Sequence, residues 1–412
     1  MKCDVLIIGA GAAGLMAAGT AASRGLDVVL LERNARPARK VMITGKGRCN
    51  VTNDCSVADC IANIPSNGRF LYSALSAFSP QDTIEFFTSR GVPLKTERGG
   101  RVFPQSDKAV DIVDALHRFA VEAGARLVQG RAKHLLLQDG ACRGAVTEGG
   151  ERIEASSVVV CTGGLSYPLT GSDGDGYKLA KQAGHDIIPP RASLVPLETQ
   201  EMWCGALQGL ALRNVELKAV RERDNKTVYQ GFGEMLFTHF GVSGPLVLSA
   251  SAHLRELATE RYTLYLNCKP ALTPEQLDAR LQREISQHAG GQMLAVLQTL
   301  FPRAMARQPI FGVSPQMPCA MLTREQRRQM VSRIQALPMK VLDTRPVDEA
   351  IVTAGGVDTR QVQASTMQSK LCKGLFFAGE VLDLDAYTGG FNLQIAFCTG
   401  AAAGRSVGGE VE

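Results

Sequence analysis

No Cys-x-x-Cys pair and no cysteine–histidine cluster at zinc-ligand spacing occurs among the eleven cysteines and six histidines. No metal centre is expected from such a set, and the odd, dispersed cysteine count fits a reducing, cytoplasmic setting better than a disulfide scaffold. The chain also lacks a dense Lys/Arg block or a basic patch interleaved with aromatics, so nucleic acid is not an expected partner. Its apolar start, within residues 1–8, is short and has no basic flank. Neither a signal peptide nor a membrane span is therefore expected. A second dinucleotide fingerprint in mid-chain is missing too, which argues against a stable NAD(P) domain. What remains is an ordinary globular composition: 412 residues, 45% hydrophobic, 21% charged, net charge +5. That length accommodates two or three domains.

The most informative stretch is Asp4-Val5-Leu6-Ile7-Ile8 followed by Gly9-Ala10-Gly11-Ala12-Ala13-Gly14. It reads as a buried strand, a glycine turn and a helix start. In such a turn Gly9 permits the tight bend, Gly11 lets phosphate approach the backbone, and Gly14 lets the helix pack on the sheet. The helix N-terminus then faces an anion. A second strand from Asp27 to Leu31 ends in Glu32, whose carboxylate suits a ribose diol.

Residues 1 to about 190 read as α/β. The stretch Arg39–Asn53 is rich in glycine and polar residues and is expected to be an extended ligand-lining loop. Helices are expected over Pro80–Ser89 and after Ser106, and the strand Ser157–Cys161 runs into Thr162-Gly163-Gly164 at a sheet's carboxyl edge. From about 191 to 350 the pattern is β-rich, with a hairpin around Asp224-Asn225-Lys226. Two helix starts within it carry capping-box signals, Thr273 with Gln276 and Thr323 with Gln326. The α/β pattern returns at Leu375–Glu380 and continues into a small-residue helix over Ile395–Ala402. A chain that leaves its nucleotide domain and comes back supplies a second helix start to one long ligand. FAD, with a nucleotide at one end and a tricyclic ring at the other, is such a ligand.

Several later motifs are more specific. They are Gly45-Lys46-Gly47-Arg48-Cys49-Asn50-Val51-Thr52-Asn53, Tyr167 to Gly176, Phe237 to Pro245, Thr353-Ala354-Gly355-Gly356-Val357, and Gly374 to Asp383 continuing through Gly389 to Gln394. Together with the opening motif they resemble the HI0933-like, or BaiN/YhiN-like, family of FAD-dependent oxidoreductases, over almost the whole chain. The departure is Lys46, where the family loop commonly has glycine. The resemblance implies an α/β Rossmann-like FAD-binding domain split across the chain, with an inserted β-barrel-like domain and a small helical insert. The expected segments are 1–190 (FAD domain), 191–269 (β-rich domain), 270–338 (helical insert), 339–352 (β-rich return) and 353–412 (FAD domain). Family activities include reduction of bile-acid-like intermediates and oxidation of small amino ketones.

The expected cofactor contacts are Gly9, Gly11, Ala12, Ala13, Gly14, Glu32, Arg33, Lys40, Thr44, Gly45, Arg48, Cys49, Asn50, Thr162, Gly163 and Gly379. By resemblance, Glu380 meets the ribityl or pyrophosphate region, and Gly390, Phe391 and Asn392 present donors toward the flavin pyrimidine. Such donors stabilise negative charge on the reduced ring. His239 is the leading candidate for proton transfer, with Tyr387 and Arg101 as substrate contacts. Each also reads as a loop anchor. Cys49 reads as a packing thiol, since no resolving partner sits at Cys-x-x-Cys spacing.

The leading expectation is hydride transfer from reduced flavin to an activated C=C bond in a small apolar substrate, with NAD(P)H as a transient reductant. The alternatives are a flavin-dependent amine or aminoketone oxidase using oxygen, and a flavin-bearing redox sensor or interaction protein. The oligomeric state stays open.

Overall fold

The computed structural model describes residues 1–255 and 257–408. Two compact units emerge: residues 1–193 with the chain from Val347 onward, and residues 194–346.

The first unit is built on a seven-stranded sheet. The strand Lys2–Ile8 (β1) and the strand Val28–Glu32 (β2) are apolar on both faces, as parallel strands covered by helices must be. Pairing runs Val5 opposite Val28 through Ile8 opposite Leu31. On its other side β1 pairs in parallel with Arg152–Val160, which in turn receives Leu375–Phe377 from the far end of the chain. Ile8, Leu31, Val160 and Phe377 thus finish at one edge. The segments that leave it carry the glycine turn, Arg33, Cys161–Gly163 and Gly379–Glu380.

The helix Ala12–Ala22 packs on the C-terminal helix Phe391–Ser406. Small residues make this possible. A Cβ on Gly400 would lie 2.4 Å from the Ala13 carbonyl oxygen, and one on Gly404 would lie 2.6 Å from that of Ala17. Arg24 closes the end of the C-terminal helix, donating to the carbonyls of Gly404 (3.0 Å) and Val407 (2.6 Å).

The segment from Arg39 is not extended throughout, as its composition suggested. Ala38 takes a left-handed conformation, and a short helix Arg39–Ile43 follows with Val41 buried. Gly45 and Lys46 then adopt φ of 57° and 60° in one tight turn. Lys46 is exposed, so the backbone there favours glycine while its side chain has only solvent to meet. The helix Pro80–Ser89 is present, closed by a Ser79–Asp82 capping box.

The second unit contains a closed six-stranded barrel, in order Leu197–Thr199, Gly241–Ser243, Lys226–Thr238, Ala211–Arg221, Tyr262–Asn267 and Leu337–Thr344. The expected hairpin is its longest pairing, turning through Asn225 at φ 54°. Between the last two strands come helices including Pro274–Gln287, Met293–Leu300 and Arg324–Gln335, and both expected capping boxes form. Among the described residues no helix is long and apolar enough to cross a membrane. None of their His, Cys, Asp and Glu side chains form a group of three or more suited to a metal ion.

Candidate active site

A cavity opens at the carboxyl edge of the sheet, lined entirely by the first unit. Its position follows from strand register, since ligands in α/β sheets bind beyond the carboxyl ends.

At the nucleotide end the glycines do separate jobs. Gly9 has φ 100°, and a Cβ there would sit 2.7 Å from the Cys161 carbonyl oxygen. On Gly14 a Cβ would lie 1.8 Å from the Gly9 oxygen, so helix and turn touch through backbone alone. Gly11 differs: its Cβ would meet nothing within 4 Å and would project into open space. Leu15 donates the first intrahelical bond, to Gly11 at 3.0 Å. The N–H groups of Ala12, Ala13 and Gly14 therefore have no acceptor within the helix.

Glu32 is 7% exposed. One of its oxygens accepts from the Ala10 N–H at 2.8 Å, and the other from the Asn34 N–H and side-chain amide at 2.8 and 2.7 Å. Beside it Arg33 pairs with Asp173, which also takes Arg131 at 2.8 Å. Arg131 further binds Asp175 at 2.5 Å; burial pushes the Asp175 carboxyl up, and its bonds to Arg131 and Lys178 outweigh that and hold it below its ordinary range.

At the other end Glu380 is gripped by three donors. Its Oε1 accepts from the Thr353 N–H at 2.9 Å and the Ser166 hydroxyl at 3.0 Å, and its Oε2 accepts from Lys40 Nζ at 2.6 Å. Lys40 also donates to Ser166 at 2.6 Å. Asn392 closes the preceding loop by accepting from the Ala386 N–H (3.0 Å) and donating to its carbonyl (2.8 Å). Below it Gln394, wholly buried, accepts from Thr52 (2.7 Å) and Thr83 (2.8 Å) and donates to Phe78 (3.0 Å). That network fixes the start of the C-terminal helix.

These residues fit FAD. The open approach at Gly11 and the free helix N–H groups suit a pyrophosphate. Thr162 Oγ1, which is buried and lacks a partner, belongs to a cavity-lining residue beside them.

Of the expected cofactor residues, Gly9, Gly11, Ala12, Ala13, Glu32, Arg33, Lys40, Thr44, Thr162, Gly163, Gly379, Glu380 and Asn392 line the cavity. Gly14, Gly45, Arg48, Cys49, Asn50, Gly390 and Phe391 stand outside its lining. Arg48 is occupied by Glu97 and Asp107 and lies over the Phe103 ring at 4.1 Å. Cys49 is fully buried, and burial pushes its thiol up to about 12, so it holds its proton. Asn50 is a brace: with its amide oriented to satisfy every partner, it donates to Val102 and Thr52 and accepts from the Gly390 N–H at 3.1 Å. Gly390 approaches Thr52 so closely that a Cβ would sit 2.3 Å from its carbonyl. Phe391 is buried in the core.

Among the catalytic candidates, Arg101 is half exposed, donating to the Arg98 carbonyl at 3.1 Å with Glu97 nearby. Tyr387 follows the cavity-lining Leu384, and its backbone is held by Asn63 at 3.0 Å. His239 lies in the second unit, exposed at the turn between two barrel strands, edge-on to Phe240 at 4.9 Å. Residues that the sequence reading missed include Asn34, Arg131, Asp175 and Ile351–Val352. Arg131 follows the strand Arg126–Gln129 that pairs with β2, and nothing local in the sequence marks that pairing.

His185 is 3% exposed, with Nε2 2.7 Å from the Ser369 hydroxyl. Burial lowers its pKa, overriding the opposing pull of Gln361, Asp186 and Asp358. Below the ordinary histidine value of about 6.5, the unfolded chain then takes up a proton that the folded chain resists. Stability should therefore fall as pH drops below that value, by up to about 1.4 kcal/mol per pH unit. Thermal melts from pH 7.5 to 5.5 should show a steeper loss in the native protein than in His185→Asn. Parallel curves would refute the assignment.

Residues 3–406 match the family model described as HI0933-like protein Rossmann domain. The chain is 30% identical over 410 residues to a 3-dehydro-bile acid delta(4,6)-reductase of Clostridium scindens, covering 97% of this chain and 98% of that protein. It is likewise 30% identical over 407 residues to a ribosomal RNA dihydrouridine synthase of Escherichia coli, covering 98% of both. The fold resembles the crystal structure of a 3-ketosteroid-delta4-(5alpha)-dehydrogenase from Rhodococcus jostii, with a TM-score of 0.51 and 16% identity, over 99% of this chain and 97% of that one.

Proposed function

The chain belongs to the HI0933-like family of FAD-dependent oxidoreductases, and from that premise we propose that it reduces a C=C bond conjugated to a carbonyl. The observation that carries this reading is the full-length likeness to two enzymes of different substrates. One is named as a delta(4,6)-reductase of a 3-dehydro-bile acid, the other as a synthase of dihydrouridine. Dihydrouridine is uridine with its ring C=C, conjugated to a carbonyl, saturated. The shared chemistry is a carbon made electron-poor by that carbonyl.

When bound, FAD supplies hydride chemistry. The protein's share is placement and proton supply. Glu32 would receive the ribose hydroxyls, the N–H groups of Ala12 to Gly14 would receive phosphate, and the Lys40–Glu380 pair would hold the ribityl or pyrophosphate region. Tyr387, in the same unit as the cofactor site, would deliver the proton to the carbon next to the carbonyl, which completes saturation. NAD(P)H is the proposed electron source. Eleven free cysteines suit a reducing cytoplasm.

Photoreduced holoenzyme mixed without oxygen with a panel of cyclic and steroidal enones should regain the oxidised flavin spectrum and yield saturated ketones. Failure across the whole panel, with rapid oxygen-dependent turnover of amines, would overturn this reading in favour of an amine or aminoketone oxidase.

A further inference from the structure

The helix Phe391–Ser406 begins without a side-chain cap. Gly390 stands at its N-cap in a left-handed conformation, and the first intrahelical bond runs from the Gln394 N–H to the Gly390 carbonyl at 3.1 Å. The N–H groups of Phe391, Asn392 and Leu393 therefore have no acceptor within the helix. Asn392 and Leu393 line the cavity. The Gly390 N–H is already taken by Asn50, so it is not among the donors left for a ligand, contrary to the expectation from sequence.

One short segment holds this helix start at three points. Asn50 accepts from the Gly390 N–H, Thr52 donates its hydroxyl to Gln394 Oε1 at 2.7 Å, and the Asn53 amide donates to the Gly389 carbonyl at 3.1 Å. Thr83, from the helix Pro80–Ser89, gives the same Gln394 oxygen a second hydroxyl at 2.8 Å. The Gln394 amide donates in turn to the Phe78 carbonyl at 3.0 Å. Thr52, Thr83 and Gln394 are each 0% exposed. With both acceptor sites of its oxygen filled, the Gln394 side chain has a single orientation. A buried polar network of this kind adds little net stability over an apolar core, but it specifies position.

We propose that Gln394, clamped by Thr52 and Thr83, is a positioning residue that raises the reduction potential of the bound flavin. It fixes the cavity-lining N–H groups of Asn392 and Leu393, and the flavin ring gains negative charge when it is reduced. Donors already held in place favour the reduced ring over the oxidised one, because nothing has to reorganise as that charge develops. The inference rests on the assignment of FAD to this cavity and is independent of which substrate is reduced.

Thr83→Val keeps the side chain's shape and removes one of the two hydroxyls, and Thr83→Ser restores a hydroxyl. The potential of each FAD-loaded protein is read by equilibration with a reference dye during slow anaerobic reduction. In Thr83→Val the affinity for reduced relative to oxidised FAD should fall by up to about tenfold, the scale of one hydrogen bond. For a two-electron couple that is a potential lower by about 30 mV. Thr52→Val should shift it in the same direction, and Thr83→Ser should return the native value. Both valine variants should keep oxidised FAD through gel filtration. Native protein that takes up no FAD would defeat the cofactor assignment itself. FAD-loaded valine variants with the native potential would overturn this inference alone, whether or not they melt earlier. So would a lowered potential that Thr83→Ser fails to rescue, or loss of oxidised FAD from both valine variants.

Discussion

Replacing Tyr387 with phenylalanine should slow the proton-coupled half-reaction by roughly 10²–10⁴-fold, the usual share of a general acid. FAD loading and spectrum should persist, because Tyr387 stands outside the cavity lining. Rapid mixing of reduced variant with enone is the measurement. Near-native rates at saturating substrate would remove Tyr387 from the reaction.

Gly14→Ala and Gly11→Val should fail in opposite ways. The new methyl at Gly14 would lie 1.8 Å from the Gly9 carbonyl, where neither backbone can retreat. A cost of about 4–5 kcal/mol, at the top of the range for single substitutions, is expected in thermal or urea unfolding. Gly11→Val meets no protein atom within 4 Å of its Cβ, so the apoprotein should fold normally. Its side chain occupies the phosphate approach and should weaken FAD by about 5- to 150-fold, equivalent to about 1–3 kcal/mol of overpacking. Full FAD retention in Gly11→Val, or native stability in Gly14→Ala, would contradict this division of labour.

The turn at Gly9–Gly14 and the acid at Glu32 were legible because each depends on local chain chemistry: a bend, a close contact, a strand end. The capping boxes at Thr273 and Thr323 were legible for the same reason. Arg131 was hidden because its place depends on which strand lies beside β2, a long-range fact with no local mark. Arg48 and Asn50 sat in a motif that suggested ligand contact, yet one is spent on Glu97 and Asp107 and the other braces Gly390. Composition missed the helix Arg39–Ile43 because Val41 alone anchors it, too little apolar content to announce a period.

The sheet strand Leu375–Phe377 and the helix Phe391–Ser406 are the last elements of the nucleotide site to be made. At ribosomal speed they emerge about 20–75 s after β1. Through that interval the helix Ala12–Ala22 waits without Gly400 and Gly404 to cover it, while residues 194–346 already have all their own partners. A nascent chain that has made residues 1–346 but not yet 375–406 therefore holds an intact barrel beside an uncovered nucleotide turn, and should stay colourless.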